Sequence, residues 1–456
     1  MGRLFGTDGV RGVANRELTP ELAFSLGFAA ARAWRERSAG QSAADGRAFA
    51  VVGKDTRLSG DMLECALTAG ILAAGFDVWR LGVIPTPGVA YVARTAGAAA
   101  GVMISASHNP MEDNGIKFFG PDGFKLLDAE EDRIEAILSG DDRTERPVGS
   151  GLGRVRERGD LREAYAVFLR GTVRHSFAGL RVAVDAANGA AYELAAEVLR
   201  ELGADVRLLH AEPDGANINV GCGSTHPDEI RRFTLAAGAH AGLAFDGDAD
   251  RLIAVDEAGG IVDGDRVMLI CGRDLRERGL LHGHTVVSTV MSNYGFVKAA
   301  REAGIELVRT SVGDRYVMEA MREGGFVLGG EQSGHVIFLQ YSTTGDGILT
   351  ALQLLDVMAG ARRPLSELTA VMRSYPQALV NVRVRDKGAW RQNAAIAAAI
   401  GDVEERLGDE GRVLVRESGT EPIVRVMVEG PSEDAVRCHV AAIVRVVEAE
   451  LGAAGN

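Results

Sequence analysis

Short apolar segments alternate with helical segments through most of the chain, and this alternation limits the folds that it can adopt. Apolar runs at 48–52, 77–83 and 98–104 are separated by helical patterns, and the same arrangement begins again near residues 180 and 263. Alternating strands and helices are typical of α/β domains, in which helices pack on a largely parallel sheet. We therefore predict three related α/β domains, which form a divergent structural repeat without a fixed sequence period.

The pattern changes beyond Pro364. A strand at 377–384, a helix at 394–407, a hairpin within 412–428 and a closing helix from Ser432 indicate a smaller α+β domain. A chain of 456 residues has room for three or four domains of ordinary size. The predicted domains are 1–153, 154–257, 258–372 and 373–456. Glycines predict a linker at 149–153 and a permissive loop at Phe5–Gly12, which contains Arg11.

Charge and cysteine usage exclude several classes of protein. The 50 Lys and Arg residues against 63 Asp and Glu give a net charge of −13, which argues against nucleic acid or an anionic membrane as the main partner. The four cysteines, at 65, 222, 271 and 438, form no C-x-x-C pair, so their spacing indicates neither a disulfide framework nor a cysteine zinc site. We expect no signal peptide, because Arg3 and Asp8 interrupt the amino terminus before an apolar segment could form, and no run of about 18 apolar residues follows. We expect a cytoplasmic protein.

The segment Ile104–Pro110 is the first candidate site. The apolar run 98–104 predicts a buried strand, and it ends in two hydroxyls, an imidazole and a proline turn. Ligands of α/β proteins usually lie where strands end at their carboxyl side, so Ser107 is a candidate catalytic residue. The alternative is an ordinary polar turn, because Ser, Asn and Pro are common turn residues.

Three carboxylates recur at alternate positions in Phe245-Asp-Gly-Asp-Ala-Asp-Arg251. A tight loop can direct Asp246, Asp248 and Asp250 to one centre, and such oxygen ligands suit Mg²⁺ or Ca²⁺. An EF-hand is disfavoured, because Arg251 stands where that loop needs glycine and because the flanks resemble strands. A solvated acidic turn is the other alternative. The favoured interpretation is a divalent metal site of the kind used in phosphoryl transfer.

Two later loops also carry polar groups. In Gly329–His335, Glu331 and Ser333 could bind vicinal sugar hydroxyls, and His335 is either structural or catalytic. The segment 416–425 combines two arginines with hydroxyls and a glycine, which are the groups that bind a dianionic phosphate. The alternative for the second loop is a hairpin turn with surface arginines.

The four loops, in this order, resemble the α-D-phosphohexomutase family over nearly the whole chain. The matching segments are 105–110, 246–251, 330–335 and 416–422. Within the family, Phe5–Gly12, 113–119 and Gln332 resemble the branch that isomerises glucosamine phosphates. Phosphomannomutase and phosphoglucomutase relatives usually carry Met at the site of Gln332. The resemblance implies three related α/β domains with mixed sheets and a smaller C-terminal α+β domain around a central active-site cleft. It also implies a homodimer.

The resemblance further implies a role for each motif residue. Ser107 would be a phosphoserine, whose phosphate would hold one Mg²⁺ with Asp246, Asp248 and Asp250. Arg11 and Lys117 would neutralise the transferring group, and Glu331 and Ser333 would bind the sugar. The remaining phosphate would bind to Arg416, Ser418, Gly419, Thr420 and Arg425. Lys117, His108 and His335 are the candidates for the general base.

The implied reaction converts glucosamine 6-phosphate into glucosamine 1-phosphate through a 1,6-bisphosphate, on the route to UDP-N-acetylglucosamine and the cell wall. Three alternatives stay open at this point. The first is a phosphomannomutase/phosphoglucomutase with the same mechanism, the second a phosphatase with the same metal site, and the third a non-enzymatic calcium-binding module. Ser311 departs from the pattern of this family, because its relatives often have Lys at that position.

Overall fold

The computed structural model describes residues 3–6, 8–37, 47–140, 145–418 and 421–452. The chain forms two compact units, and residues within each unit contact one another far more often than they contact the other unit. The first unit comprises Met1–Met291 with Ile305–Ala370, and the second comprises Ser292–Gly304 with Val371–Asn456. Three sheets belong to the first unit and one to the second.

The first sheet is built from the amino-terminal part of the chain. Its elements are β1 (Val10–Val13), α1 (Pro20–Arg37), β2 (Phe49–Lys54), α2 (Ser59–Ala73), β3 (Asp77–Val83), α3 (Thr86–Thr95), β4 (Ala100–Ile104), β5 (Asp113–Phe119), α4 (Asp128–Leu138) and β6 (Val155–Glu157). The strand order is β1-β5-β4-β2-β3-β6. Helix α1 begins at Pro20, whose fixed φ suits the first helical position, and Glu21 gives it an acidic first turn.

The second and third sheets follow in sequence. The second part contains α5 (Leu161–Arg170), β7 (Arg181–Asp185), α6 (Leu194–Glu201), β8 (Asp205–Leu209), α7 (Pro227–Ala237), β9 (Ala241–Phe245), β10 (Leu252–Asp256) and β11 (Ile261–Val262). The third contains α8 (Gly264–Glu277), β12 (Thr285–Thr289), α9 (Tyr294–Glu302), β13 (Glu306–Thr310), α10 (Asp314–Gly324), β14 (Leu328–Gly330), β15 (Val336–Phe338), α11 (Gly347–Ala361) and α12 (Leu365–Thr369). The strand orders are β11-β10-β9-β7-β8 and β13-β12-β14-β15.

All three sheets contain the same arrangement of four strands. In β3-β2-β4-β5, β8-β7-β9-β10 and β13-β12-β14-β15, three parallel strands are followed by one antiparallel strand. The connection into the antiparallel strand holds Ser107 in the first sheet, the three aspartates in the second and Glu331–His335 in the third. The predicted α/β fold with mixed sheets is therefore confirmed, and its three candidate loops occupy equivalent positions.

The central strands are apolar because both of their faces are covered. Every residue of β4, β9, β10 and β12 is buried, as expected for strands with helices packed on both sides. On one face of the first sheet, Trp34 of α1 packs edge-on against Phe76 and Phe118, with ring centroids 6.2 and 6.0 Å away. This core fixes the sheet from which the Ser107 connection leaves.

The second unit is the small α+β domain that the sequence predicts. It contains β16 (Gln377–Arg383), α13 (Ala394–Leu407), β17 (Arg412–Glu417), β18 (Ile423–Glu429) and α14 (Glu433–Leu451). Its antiparallel sheet has the order β16-β18-β17 and buries Val424, Val426 and Val428. Helix α9 belongs to this unit, and Asn293 beside it donates a hydrogen bond of 2.9 Å to Glu429.

Two segments differ from the sequence expectation. Arg11 lies in β1, not in a loop, because this glycine-dense segment pairs with β5 and places Arg11 opposite Gly115. The segment near 150 is not a linker, because Gly153 donates a backbone hydrogen bond of 3.1 Å to Leu72 and β6 joins the first sheet beside β3. Strands β6 and β11 thus lie beyond the boundaries placed at 153 and 257, and the four domain limits stay a prediction.

Among the described residues, no helix combines the length and the apolar character needed to cross a membrane.

Candidate functional site

Ser107 lies buried in the connection between β4 and β5. Its Oγ donates a hydrogen bond of 2.5 Å to Asp246 Oδ2, so the first connection directly contacts the second. The φ angle of Ser107 is 55°, in the left-handed region that residues with a Cβ rarely adopt. Its N–H donates to Ser105 Oγ at 2.9 Å, and this bond helps to hold the unusual conformation.

A buried arginine fixes the backbone of the same connection. Arg57 Nη2 donates to the carbonyl oxygens of Ser107 and Asn109 at 2.9 and 2.8 Å, and Nη1 donates to those of Asp113, at 3.0 Å, and Pro110. Its Nε donates to Asp55 Oδ2 at 2.9 Å, and both side chains are fully buried. The guanidinium therefore donates to four carbonyl groups of the loop that contains Ser107 and acts as a clamp on it.

The three aspartates form a compact group of oxygen ligands. One carboxylate oxygen from each of Asp246, Asp248 and Asp250 lies within 4.8 Å of the others. Asp248 Oδ1 and Asp250 Oδ1 are buried without a hydrogen-bond partner among the described residues. Burial, and then the charges of Asp250 and Asp248, hold the pKa of Asp246 well above its ordinary value. A bound divalent cation would satisfy these oxygens and offset the repulsion, so the residues fit a hard metal ion.

The loop that carries the aspartates depends on glycine and on strands. A Cβ on Gly247 would lie 2.4 Å from the carbonyl oxygen of Ser107, so only glycine permits this approach. The flanking segments are β9 and β10, which pair in antiparallel fashion. An EF-hand has helices on both sides of its loop, and this alternative is therefore wrong.

Lys117 and Asp8 connect the aspartates to the first strand. Lys117 Nζ lies 2.8 Å from Asp248 Oδ2 and 2.9 Å from Asp8 Oδ2. Burial alone would lower the pKa of Lys117, but the Asp248 and Asp8 carboxylates raise it above its ordinary value. Arg11 also donates to Asp8, and Lys125 bridges Asp8 and Asp314. Lys117 and Arg11, the two cations predicted to neutralise a phosphoryl group, thus both contact the carboxylate of Asp8.

The two histidines have different surroundings. His108 Nδ1 lies 3.4 Å from Ser107 Oγ, and burial, followed by the charges of Arg251 and Arg11, lowers the pKa of His108. His335 Nδ1 lies 3.5 Å from Asp250 Oδ2, and its Nε2 accepts the N–H of Gly345 at 3.1 Å. His108 therefore faces the Ser107 hydroxyl, and His335 faces a carboxylate of the three-aspartate group.

A cavity of about 430 Å³ lies beside these groups. Its lining includes Arg11, Lys125, Asp250, Glu331 and His335. Glu331 Oε1 accepts the N–H of Gly313 at 3.1 Å. Ser333 is exposed on the same connection, and Ser311 is exposed in the neighbouring loop. The size and the mixed charge of the cavity suit a phosphorylated sugar.

The predicted phosphate loop lies in the second unit, where β17 and β18 place Arg416 directly opposite Arg425. Like charges at opposed positions are destabilising unless an anion offsets them. Burial, and then the charge of Arg425, lowers the pKa of Arg416. Ser418 is buried and its carbonyl oxygen accepts a hydrogen bond of 2.8 Å from Lys387. Gly419 and Thr420 lie outside the described residues.

Several contacting residues had no sequence signal of their own. Within the first unit, the structure brings together Ser107, His108, Arg11, Lys117, Glu331, His335 and the three aspartates. Sequence analysis missed their partners Asp8, Asp55, Arg57, Thr86, Lys125, Asn219 and Asp314. Thr86 Oγ1 donates to Asp248 Oδ2 at 2.6 Å, and Asn219 Nδ2 donates to the Ser107 carbonyl at 2.8 Å. Two segments offered a hint: the polar segment 54–57, which follows the apolar run of β2, and Phe5–Gly12, which contains Asp8.

All four parts of the chain match domain models of one family. Models described as phosphoglucomutase/phosphomannomutase alpha/beta/alpha domains I, II and III match residues 2–145, 164–260 and 263–375, and the C-terminal domain model matches 379–446. The chain is 57% identical to the phosphoglucosamine mutase of Desulforudis audaxviator over 98% of both chains. It is 54% identical to that of Shouchella clausii over 99% of this chain and 100% of the relative. A crystal structure of a phosphoglucomutase/phosphomannomutase family protein from Burkholderia thailandensis is similar over 98% of this chain and 97% of its own, with 26% identity and a TM-score of 0.83.

Proposed function

The chain belongs to the phosphoglucomutase/phosphomannomutase family, and from this membership we propose that it transfers phosphoryl groups through Ser107. Relatives at 57% and 54% identity are phosphoglucosamine mutases. The chain accordingly interconverts glucosamine 6-phosphate and glucosamine 1-phosphate as an intramolecular phosphotransferase. The observation that carries the assignment of Ser107 is its 2.5 Å hydrogen bond to Asp246, because this bond sets a hydroxyl against the group of carboxylates.

The carboxylates and the phosphate on Ser107 would hold one Mg²⁺. Three clustered carboxylates favour a hard cation over a soft one, and two of them, Asp248 and Asp250, have a buried oxygen without a hydrogen-bond partner among the described residues. When bound, Mg²⁺ offsets the negative charge of the transferring phosphoryl oxygens. Lys117 and Arg11 add positive charge from β5 and β1, and Asp8, which contacts both, sets their positions.

Transfer proceeds in two halves that use the same residues in opposite directions. First, the bond between phosphorus and Ser107 Oγ breaks while a bond forms to O1 of glucosamine 6-phosphate, and the hydroxyl proton passes to a base. The 1,6-bisphosphate then turns over in the site, and the bond between phosphorus and O6 breaks while the bond between phosphorus and Ser107 Oγ forms again. The base returns its proton to O6, and glucosamine 1-phosphate leaves. We assign the base to His108, whose Nδ1 is 3.4 Å from Ser107 Oγ. His335 then positions Asp250, and Lys117 remains a charge-neutralising group.

Two loops would bind the parts of the substrate that do not react. Glu331 lines the cavity and Ser333 follows it on the same connection, so both are assigned to sugar hydroxyls. Arg416, Ser418, Gly419, Thr420 and Arg425 are assigned to the second phosphate. The opposed arginines support this assignment, because a dianion between two guanidiniums replaces repulsion with charge-assisted hydrogen bonds. The substrate is then a phosphorylated amino sugar, and the cytoplasmic location and the homodimer stay predictions.

Intact-mass analysis of the full chain tests the assignment of Ser107. After incubation with glucosamine 1,6-bisphosphate and Mg²⁺, the native protein should gain the mass of one phosphoryl group, located by peptide mapping on Ser107. Ser107→Ala should gain none and should lose at least about 10³-fold in the rate of interconversion. Ser333→Ala is the matched control, because it should weaken sugar binding yet still accept the phosphoryl group.

Three outcomes would contradict this assignment of the site. Undiminished interconversion by Ser107→Ala, or a phosphoryl group found on another residue, would refute the role of Ser107. Release of inorganic phosphate at the rate of substrate loss, without glucosamine 1-phosphate, would instead support the phosphatase alternative.

A further inference from the structure

A second cluster of metal-binding side chains lies in the second α/β part of the chain. One ligand atom from each of Asp185, His210 and Cys222 lies within 4.8 Å of the other two. Asp185 ends β7, His210 directly follows β8, and Cys222 lies in the loop before α7. Asp185 and Cys222 are fully buried, while the His210 side chain is 27% exposed. The cysteine spacing gave no sign of this cluster, because its members come together only through the fold.

The positions of His210 and Asp185 are compatible with a cation bound between the two side chains. His210 Nδ1 lies 3.1 Å from Asp185 Oδ1. Nδ1 is buried and has no well-aligned hydrogen-bond partner in the described part of the chain, although its interaction with the Asp185 carboxylate raises the pKa of His210. Two ligand atoms about 2.0–2.2 Å from a tetrahedral cation are about 3.3–3.6 Å apart, and their lone pairs point at the cation and not at each other. The observed separation of 3.1 Å is a few tenths of an ångström shorter, so a small outward movement of His210 would accommodate a cation.

We propose that Asp185, His210 and Cys222 bind a second divalent cation of the borderline class, such as Zn²⁺, at a site separate from the three aspartates. A thiolate, an imidazole and a carboxylate together favour Zn²⁺, whereas carboxylates alone favour Mg²⁺. On binding, the Cys222 thiol releases its proton to solvent as the sulfur–metal bond forms. The partly exposed side of His210 leaves room for water as the fourth ligand.

The neighbours of the cluster show what such a cation would stabilise. Asp185 also accepts the N–H groups of Ala187 and Gly223, each at 2.9 Å. Asn219, three residues before Cys222, donates to the Ser107 carbonyl at 2.8 Å. Ser224, two residues after Cys222, donates from its backbone to Phe245, which immediately precedes Asp246. A cation at the cluster would therefore tie together loops that support both Ser107 and the aspartates.

Cobalt titration of the full chain tests the proposal, because Co²⁺ replaces Zn²⁺ and gives an absorption band when a thiolate coordinates it. The chain is first treated with a chelator, and saturating Mg²⁺ is then present throughout so that the aspartates are occupied. The native protein should bind one Co²⁺ with a thiolate band, and excess Zn²⁺ should remove the band. Cys222→Ser should lose the band and bind Co²⁺ at least about 100-fold more weakly.

Two further variants make the result decisive. Cys271→Ser is the matched control, because it removes another buried cysteine and should keep the band. His210→Asn should weaken binding as Cys222→Ser does, and Asn tolerates the positive φ of 47° at this position. Zn²⁺ should raise the melting temperature of the native chain and leave that of both cluster variants unchanged. Absence of a thiolate band in the native protein, or equal cobalt affinity in His210→Asn, would overturn the proposal.

Discussion

Replacing Arg57 by alanine should be the most informative single change outside the substrate-binding residues. The guanidinium is fully buried and donates hydrogen bonds to four carbonyl oxygens of the loop that contains Ser107. It also pairs with Asp55, which accepts hydrogen bonds from the Ser105 hydroxyl at 2.6 Å and from the Arg57 backbone N–H at 2.9 Å. Arg57→Ala therefore removes a clamp from a loop whose central residue has a φ of 55°.

The expected loss of stability follows from these contacts. Removal of one partner from a buried ion pair costs about 3–5 kcal/mol, because the remaining charge is left without compensation. Each carbonyl that loses its donor would cost about 1–3 kcal/mol more if no water replaced the donor, which is the desolvation penalty of a buried polar group. Since water can enter the space that the side chain leaves, we expect the free energy of unfolding to fall by about 3–5 kcal/mol in total. The stability of Arg57→Lys should lie between that of the native protein and that of Arg57→Ala. An ammonium keeps the positive charge but cannot reach all five acceptors, which are the four carbonyl oxygens and Asp55.

Urea unfolding and steady-state kinetics together measure both consequences. The free energy of unfolding should fall by the stated amount, and kcat should fall more than KM rises, because Arg57 orients the nucleophile and its assigned contacts do not include the sugar. Arg94→Ala is the control, since this exposed arginine makes one hydrogen bond, of 3.2 Å, and should change stability by less than about 0.5 kcal/mol. A loss below about 1 kcal/mol in Arg57→Ala, with kcat unchanged, would show that the clamp is not what holds the loop.

Three other perturbations test separate parts of the structure. Thr86→Val removes a hydrogen bond of 2.6 Å to Asp248, and a magnesium titration of activity should show a requirement about 10–100-fold higher. Arg425→Gln should raise KM by about 10–100-fold through loss of charge-assisted bonds, while urea unfolding should show equal or higher stability because repulsion with Arg416 is gone. Burial raises the pKa of Asp346 to about 6, so between about pH 4 and pH 6 the native state binds more protons than the unfolded state, and stability falls as the pH rises. Asp346→Asn should abolish that slope, worth about 3 kcal/mol across the window, in unfolding free energies measured against pH.

The fold was predictable because its signals are local. Strands such as β4 and β9 are short, uniformly apolar and followed at once by polar residues, which marks both the element and the end at which ligands lie. Arg11 shows the limit of such reasoning. Glycines around it predict a loop, yet hydrogen bonds between β1 and β5 are formed by the backbone, which glycine does not prevent.

The supporting contacts of the site were not predictable for a different reason. Thr86 and Asp248 are 162 positions apart, and Lys125 and Asp314 are 189 positions apart, so no periodicity or spacing connects them. Their side chains are common polar residues that gain a role only from the partner that the fold supplies. The motif residues themselves were identifiable because each group lies within a few consecutive positions.

The equivalent connections of the three sheets explain why the group of three aspartates depends on contacts from the rest of the first unit. The second connection supplies all three carboxylates, but residues of the other two parts hold them in place. Ser107 donates to Asp246, Lys117 pairs with Asp248, and His335 faces Asp250. Because each carboxylate has a different external partner, the loop between β9 and β10 does not fix the ligand geometry by itself. In a calcium-binding module the loop carries its own ligands and geometry. Here the proposed metal binding would instead depend on the correct packing of three repeated α/β parts.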